Sequence, residues 1–342
     1  MAEAGAAPMT AGTRTVGQRL ASVARQRELG LVAIMVVLGA AVSLKAPQFL
    51  TADNLSQVAV LASLTAVAAL GEALVILTRN VDLSVEATIG IVAYVVAVSL
   101  ESHAFGTPVA ILLGIGLGLG LGVVNGVLVA FLRVPSIVAT LGTLSVFRGI
   151  DYFIAGSHQV PLAGLPDGFT DPARSDVFGI PVFVLLTVGL VAIGTVILRS
   201  TRFGRQVYAV GSNPEAAAIL GIPSRRVVFT AFALCGALAG VAGVMWVMEF
   251  GTINGTAATG AVLAIVAAAV VGGVNIFGGS GSLAGAALGA LFLGFVANAL
   301  PLIGLNQFYL QAIYGAVILA AVGADAVILR RLQRSRTRRS GR

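Results

Sequence analysis

The side chains able to do chemistry in this chain are few, and most stand inside or between apolar runs. Arg148 and Asp151 lie three residues apart within one run, a spacing that lets them pair on one helix face. Glu72, directly after Gly71, lies within another. Between two runs the segment 78–86, TRNVDLSVE, holds Arg79, Asn80, Asp82, Ser84 and Glu86. A charge in hydrocarbon is costly unless paired or hydrated, so such groups are functional candidates. The carboxylates could take up a proton or a sodium ion, or the polar groups together could line a wet path for a polar solute. Each also has a plainer explanation. Arg148 and Asp151 can be an ion pair that fixes helix packing, Glu72 a contact between helices, and Asn80 or Asp82 the N-cap of the next helix. That cap accounts for one of the five groups in 78–86, not for all of them, and the sharper reading is a water-lined break near a translocation path. Asp82, Ser84, Asn125, Thr140, Thr143, Arg148 and Asn275 are the candidate lining residues.

Other chemistries lack their residues. His103 and His158 are far apart and close to loops, and Cys235 is the single cysteine, inside an apolar run. No catalytic constellation, disulfide framework or metal-ligand set is therefore expected. The chain has no GxxxxGK[ST] phosphate-binding loop, and GSGS at 279–282 lacks the lysine, so nucleotide hydrolysis by this chain is not expected either.

A second polar stretch, 201–222, reads TRFGRQVYAVGSNPEAAAILGI. Arg199 precedes it, Arg202 and Arg205 stand at its start, and Arg225 and Arg226 follow it. Asn213 suits an N-cap, Pro214 the first helical position, Glu215 the positive end of the helix dipole, and Gly221 the end. The helix so defined is too short to span a bilayer and reads as a docking surface at a membrane face.

The elements that must hold these groups are membrane helices. The chain is 58% hydrophobic and only 10% charged, with a mean hydropathy of +0.99, against about 25% charged residues in a soluble domain. Runs long enough to span predict an all-α polytopic fold of ten crossings: 29–44, 55–77, 86–100, 108–132, 136–154, 180–198, 227–248, 261–273, 281–302 and 308–329. The third and eighth are short, which predicts broken or partly re-entrant helices. Twenty of the 21 basic residues are arginine, gathered in flanks and loops as positive charge on the inner face, not as a nucleic-acid groove. That asymmetry favours an even number of crossings with both termini cytoplasmic. It leaves a polar tail over 1–28, a membrane domain over 29–329, a cytoplasmic loop over 199–226 and a basic tail over 330–342. The N-terminus lacks the apolar core and cleavage site of a signal peptide. The segment 155–179, rich in Pro, Gly and Asp, is the longest external loop, either a contact for an arriving partner or an ordinary solvated loop. The spacing of Gly281, Gly285 and Gly289 predicts close helix contact.

Four ordered segments carry a resemblance: ILTRNVDLSV at 76–85, NGVLVAFLRVPSIVATLGTLSVFRG at 125–149, the 201–222 stretch, and VVGGVNIFGGSGSLAGAALGA at 270–290. In this order they resemble the permease subunits of bacterial ATP-binding-cassette importers for monosaccharides such as ribose, xylose and arabinose, over roughly residues 29–325. The resemblance implies a permease dimer of the cytoplasmic membrane. It also implies two ATPase subunits that bind the ATP, a periplasmic or surface-tethered sugar-binding protein, and no cofactor of the permease's own. It assigns Asn213, Pro214, Glu215, Ala216, Ala217 and Gly221, with Arg205 more loosely, to a coupling helix that seats in the ATPase. Many such permeases carry glycines where this chain has Arg79, Asn80 and Glu86. The Arg-Asn form resembles the branch serving rhamnose and the autoinducer-2 signal, in which two different permeases can pair. Many also carry an acid where this chain has Val262. The expected function is import of a monosaccharide or sugar-like solute. The alternative is an ion-coupled transporter using Glu72, Asp82, Glu86 or Asp151.

Overall fold

The computed structural model describes residues 16–320 and residue 323, with side chains from Glu28 onward. The basic tail 330–342, most of the 1–28 tail and the end of the 308–329 crossing lie outside the described residues.

Each apolar run read from the sequence forms a helix over most of its described part. Helix α1 covers Val16–Ser43, so its first half continues back beyond the expected boundary at residue 28. Nothing between these ends breaks a helix; Pro47 is the first residue able to do so. A 3₁₀ turn over Pro47–Leu50 then seats buried Phe49 edge-on against Phe295, with ring centroids 5.1 Å apart. Helix α2, Ala52–Leu77, starts at the Thr51 cap, whose hydroxyl oxygen accepts from the Asn54 N–H. From Ala66 to Leu77 it is buried on every side, as an apolar helix at the centre of a bundle must be. It packs on α10, Ser224–Phe250; α12, Leu283–Leu302; α11, Ala261–Val271; and α7, Val182–Ser200.

On the other side of α10 pack α3, Val85–Glu101, and α4, Thr107–Gly126, which ends in a π turn over Val127–Phe131; α5, Ser136–Ala155, packs on α3. The 155–181 loop carries α6, Asp171–Arg174, and a hairpin of β1, Asp176–Val177, with β2, Ile180–Pro181. Pro181 therefore delays the sixth crossing to Val182. Two short helices follow α7: α8, Arg202–Ser212, and α9, Pro214–Ile219. The last apolar helix is α13, Tyr309–Ala320. Among the described residues α2, α4 with its π turn, α5, α7, α10 and α12 are long and apolar enough to cross a membrane. The apolar end of α1, α11 and α13 are shorter.

Glycine sets the closest contacts. In α4, Gly114, Gly118 and Gly122 repeat every fourth residue and are buried on one face, against Gly236 and Gly240 of α10. A Cβ on Gly118 would lie 2.7 Å from the Gly240 Cα, and one on Gly236 would lie 2.6 Å from the Gly122 Cα. The two backbones therefore touch. Of the three glycines singled out by spacing, Gly285 and Gly289 do meet α11, at Gly272 and Ala268. Gly281 precedes α12 and packs on Val274 instead.

Candidate functional site

The chain between α2 and α3 is the polar centre of the molecule. Helix α2 ends with the Arg79 N–H donating to the Ile76 carbonyl (2.9 Å) and the Asn80 N–H to that of Val75 (3.2 Å). This closure needs a left-handed residue just past the helix, a place glycine usually takes; here Arg79 holds it at φ 66°. The chain then follows α5: the Val81 N–H donates to Ser136 Oγ (3.3 Å), and its carbonyl accepts from Thr140 Oγ1 (3.3 Å).

Deeper in, Asp82 Oδ1 accepts from the Ser84 N–H (3.0 Å) and from Ser84 Oγ (2.7 Å). Asn125 Nδ2 on α4 donates to Asp82 Oδ2 (3.2 Å) and to Ser84 Oγ (2.7 Å). Its Oδ1 in turn accepts from Thr143 Oγ1 on α5 (2.7 Å). Glu72 Oε1 on α2 accepts from the Asp82 N–H (3.1 Å). Five of the candidate lining residues, Asp82, Ser84, Asn125, Thr140 and Thr143, thus converge from three elements, and Glu72 joins them. All are buried. Apart from Glu72 Oε2, which has no hydrogen-bond partner among the described residues, their side-chain polar atoms are bonded, and the network braces the break against α4 and α5. Asn125→Leu removes the amide that serves two acceptors and one hydroxyl. We expect a loss of about 1–3 kcal/mol, read as a lower melting temperature in detergent. An unchanged melting temperature would mean the network adds nothing to stability.

Arg148 belongs to a second cluster. It stands twelve residues into α5, ~18 Å along the helix from its start. Its guanidinium donates to Asp151 Oδ2 (3.3 Å) and to the carbonyls of Ala257 (2.9 Å) and Glu86 (3.4 Å). The Glu86 carboxylate is 3.8 Å away, and its Oε2 accepts from the Val262 N–H (3.1 Å). Glu86 stands in the first turn of α3 and Val262 in that of α11. One carboxylate therefore serves the N-termini of both shortened helices, the end where negative charge is favoured. The short third and eighth runs are explained by this joint. At 11 residues α11 is ~16 Å long, about half the thickness of a bilayer core, and it starts at this joint. Asn275 joins neither cluster. Its Oδ1 accepts from the Phe277 N–H (2.9 Å) within the 272–282 loop.

The capped helix read from 213–221 forms as α9. Asn213 Oδ1 accepts from the Ala216 N–H (3.0 Å), Pro214 opens the helix, and Gly221 leaves it at φ 73°. Asn213, Glu215, Ala216 and Gly221 are exposed, and Pro214 is partly so. The Ala217 methyl is buried against the body, so it seats the helix and presents nothing outward. Arg205 lies on the separate helix α8, exposed, with its guanidinium on the Ser200 carbonyl (3.4 Å). Sequence reading passed over Ile219 and Leu220, which are 86% and 78% exposed at the tip of α9. The signal was available: on a helix this short, ended by a left-handed glycine, the last two apolar residues have no neighbour to cover them.

Outside the clusters, His158 Nε2 and Glu101 Oε2 lie 2.7 Å apart, and the Val160 and Ile253 backbones pair, so the 155–181 loop is tied to the ends of α3 and α10. The Cys235 thiol is buried against Gly71.

Buried polar joints inside a bundle of apolar helices, with a capped helix left exposed at one end, define a multi-pass helical membrane protein. Residues 54–322 match the family described as branched-chain amino acid transport system / permease component, and the chain belongs to it. Proteins named autoinducer 2 import system permease protein LsrC are similar along most of its length. That of Salmonella typhi is 36% identical over 307 residues, 90% of this chain and 86% of its own. That of Enterobacter sp. (strain 638) is 35% identical over 311 residues, 91% and 90%. The one from Escherichia coli O9:H4 (strain HS) is 35% identical over 288 residues, 84% and 83%. No solved structure matches. The chain is thus a permease component embedded in the cytoplasmic membrane.

Proposed function

We propose that this permease is the membrane subunit of an importer driven by separate ATP-binding-cassette ATPases, and that its cargo is a small sugar-like solute of the autoinducer-2, rhamnose or pentose kind. The similarity to autoinducer 2 import permeases along nine-tenths of the chain supports the cargo class. The observation that carries the energy source is α9: a capped helix, seated by Ala217 and tipped by exposed Ile219 and Leu220, on the arginine-rich side of the chain. An apolar tip with a carboxylate on its first turn is built to enter a cleft in another protein. In this reading the chain makes ten crossings with both termini in the cytoplasm, the 199–226 loop meets the ATPase, and a sugar-binding protein delivers cargo outside. A second permease, the same or a paralogue, completes the path. ATP binding in the partner displaces α9 and shifts the bundle between two openings, a two-state element biased by another subunit's ligand. The permease itself needs no catalytic group for this.

The test is co-purification and uptake in proteoliposomes with the ATPase partner. Ile219→Asp with Leu220→Asp, and separately Glu215→Arg, should cut ATP-driven uptake at least about tenfold, as expected from losing an apolar anchor or a charge-assisted bond. Uptake that persists with the ATPase absent would refute the proposal. It would favour an ion-coupled transporter, for which the buried oxygens Glu72 Oε2 and Asp151 Oδ1, without hydrogen-bond partners among the described residues, would be the places to look.

A further inference from the structure

Three segments distant in sequence meet where α2 ends. The Gly279 N–H donates to the Leu77 carbonyl (3.0 Å), and a Cβ on Gly279 would lie 2.6 Å from the Ser212 Cα. A Cβ on Gly211 would overlap the Leu77 carbonyl. The end of α2, the end of α8 and the 272–282 loop are therefore in backbone contact. Tyr208 Oη adds a bond from α8 to the Gly281 carbonyl (3.0 Å), and burial pushes its hydroxyl above the ordinary range, with Arg199 opposing, so it stays a donor.

One side chain joins all three segments. Arg79 Nε donates to the Phe277 carbonyl (2.8 Å) and its Nη2 to the Ser212 carbonyl (3.0 Å). Ser212 is the residue before Asn213, the N-cap of α9. The planar guanidinium can bond two carbonyls at once with donors held in a fixed fork, which a lysine cannot do. Its own backbone stands in the left-handed region, a conformation strained for any residue but glycine. Arg79 is also the first residue of the break: two residues on, Val81 bonds α5, and Asp82 and Ser84 bond Asn125 of α4.

We infer that Arg79 is a positioning residue that ties the docking helix to the polar break, so that displacement of α9 reaches α4 and α5 through its guanidinium. The inference rests on the ATPase-driven reading of the permease. The path is short and made of bonds already described: the N-cap of α9, the Ser212 carbonyl, the Arg79 fork, the Val81 backbone and the Asp82–Asn125 pair. Charge-assisted bonds at both carbonyls make the link stiffer than neutral bonds of the same length.

The test uses the permease assembled with its ATPase and binding protein in proteoliposomes, measuring uptake per ATP hydrolysed. Arg79→Gly removes the fork and relieves the left-handed backbone, so folding is spared. The complex should form with an unchanged melting temperature while uptake per ATP falls about tenfold, the effect of losing a pair of charge-assisted bonds. Arg79→Lys keeps the charge with a single reachable carbonyl, and its ratio should fall between the two. Wild-type ratios in both variants would overturn the inference. If Arg79→Gly fails to assemble, Arg79→Lys decides: an assembled but uncoupled complex supports the link, and normal coupling refutes it. Failure of the underlying reading looks different, since the wild-type complex itself would then take up nothing on ATP.

Discussion

Gly236→Val should abolish the folded permease or leave a small, heat-labile fraction of it. A valine there places its Cβ within 2.6 Å of the Gly122 Cα and against the Gly118 carbonyl, which are backbone atoms that cannot rotate away. To admit it, α4 and α10 must separate along the whole seam that Gly114, Gly118, Gly122, Gly236 and Gly240 make between them. In lipid no hydrophobic driving force pulls them back together; the contact is van der Waals packing at close range. The cost should therefore sit at or above the top of the usual range for over-packing, about 1–3 kcal/mol. Yield of monodisperse protein in detergent and its melting temperature are the measurements. Gly120→Val, one face away where a Cβ meets nothing within 4 Å among the described residues, should behave as wild type. Equal behaviour of the two variants would show that the seam does not hold the helices.

Arg148→Met should cost about 3–5 kcal/mol, the range for breaking a buried ion pair by removing one partner. Methionine fills much of the space but leaves the Glu86 and Asp151 carboxylates without their cation and the Ala257 carbonyl without its donor. The loss should be strongly non-additive. Replacing Asp151 by Asn in the same molecule removes one of the stranded charges and should recover part of the stability, as coupled neighbours do. Thermal unfolding of the single and double variants closes the cycle. A double variant as unstable as the sum of its parts would mean that Arg148 and Asp151 do not form one unit.

Much of this was legible before any coordinates. Asn213, Pro214, Glu215 and Gly221 announce α9 because caps are local: each residue's effect is confined to one turn of backbone. The apolar runs announce their helices for a similar reason, since a backbone in lipid must close its hydrogen bonds within the segment. That the runs at 86–100 and 261–273 are short is plain in the sequence, and they form helices of 17 and 11 residues, but why they stop is not. That reason, Glu86 reaching the Val262 N–H, joins residues 176 positions apart and leaves no periodic trace. The grouping of Asp82 with Asn125 and Thr143 is long-range in the same sense. Asn275 is a local case: this polar residue of a glycine-rich break caps its own turn, its Oδ1 accepting from the Phe277 N–H. The α4–α10 seam was hidden by abundance. With 43 glycines in the chain, spacing alone drew notice to 281–289 while the longer series from Gly114 went unremarked.

That seam has a consequence for movement. Helices that touch through side chains can slip, because rotamers exchange and new interdigitations form. Between Gly118 and Gly236 there are no side chains to exchange, so α4 and α10 either part or travel together. Helix α10 begins five residues beyond the end of α9, and α4 carries Asn125. Any displacement of α10 must therefore carry α4 and its Asn125 with it, and the pair is geared at this seam, not hinged.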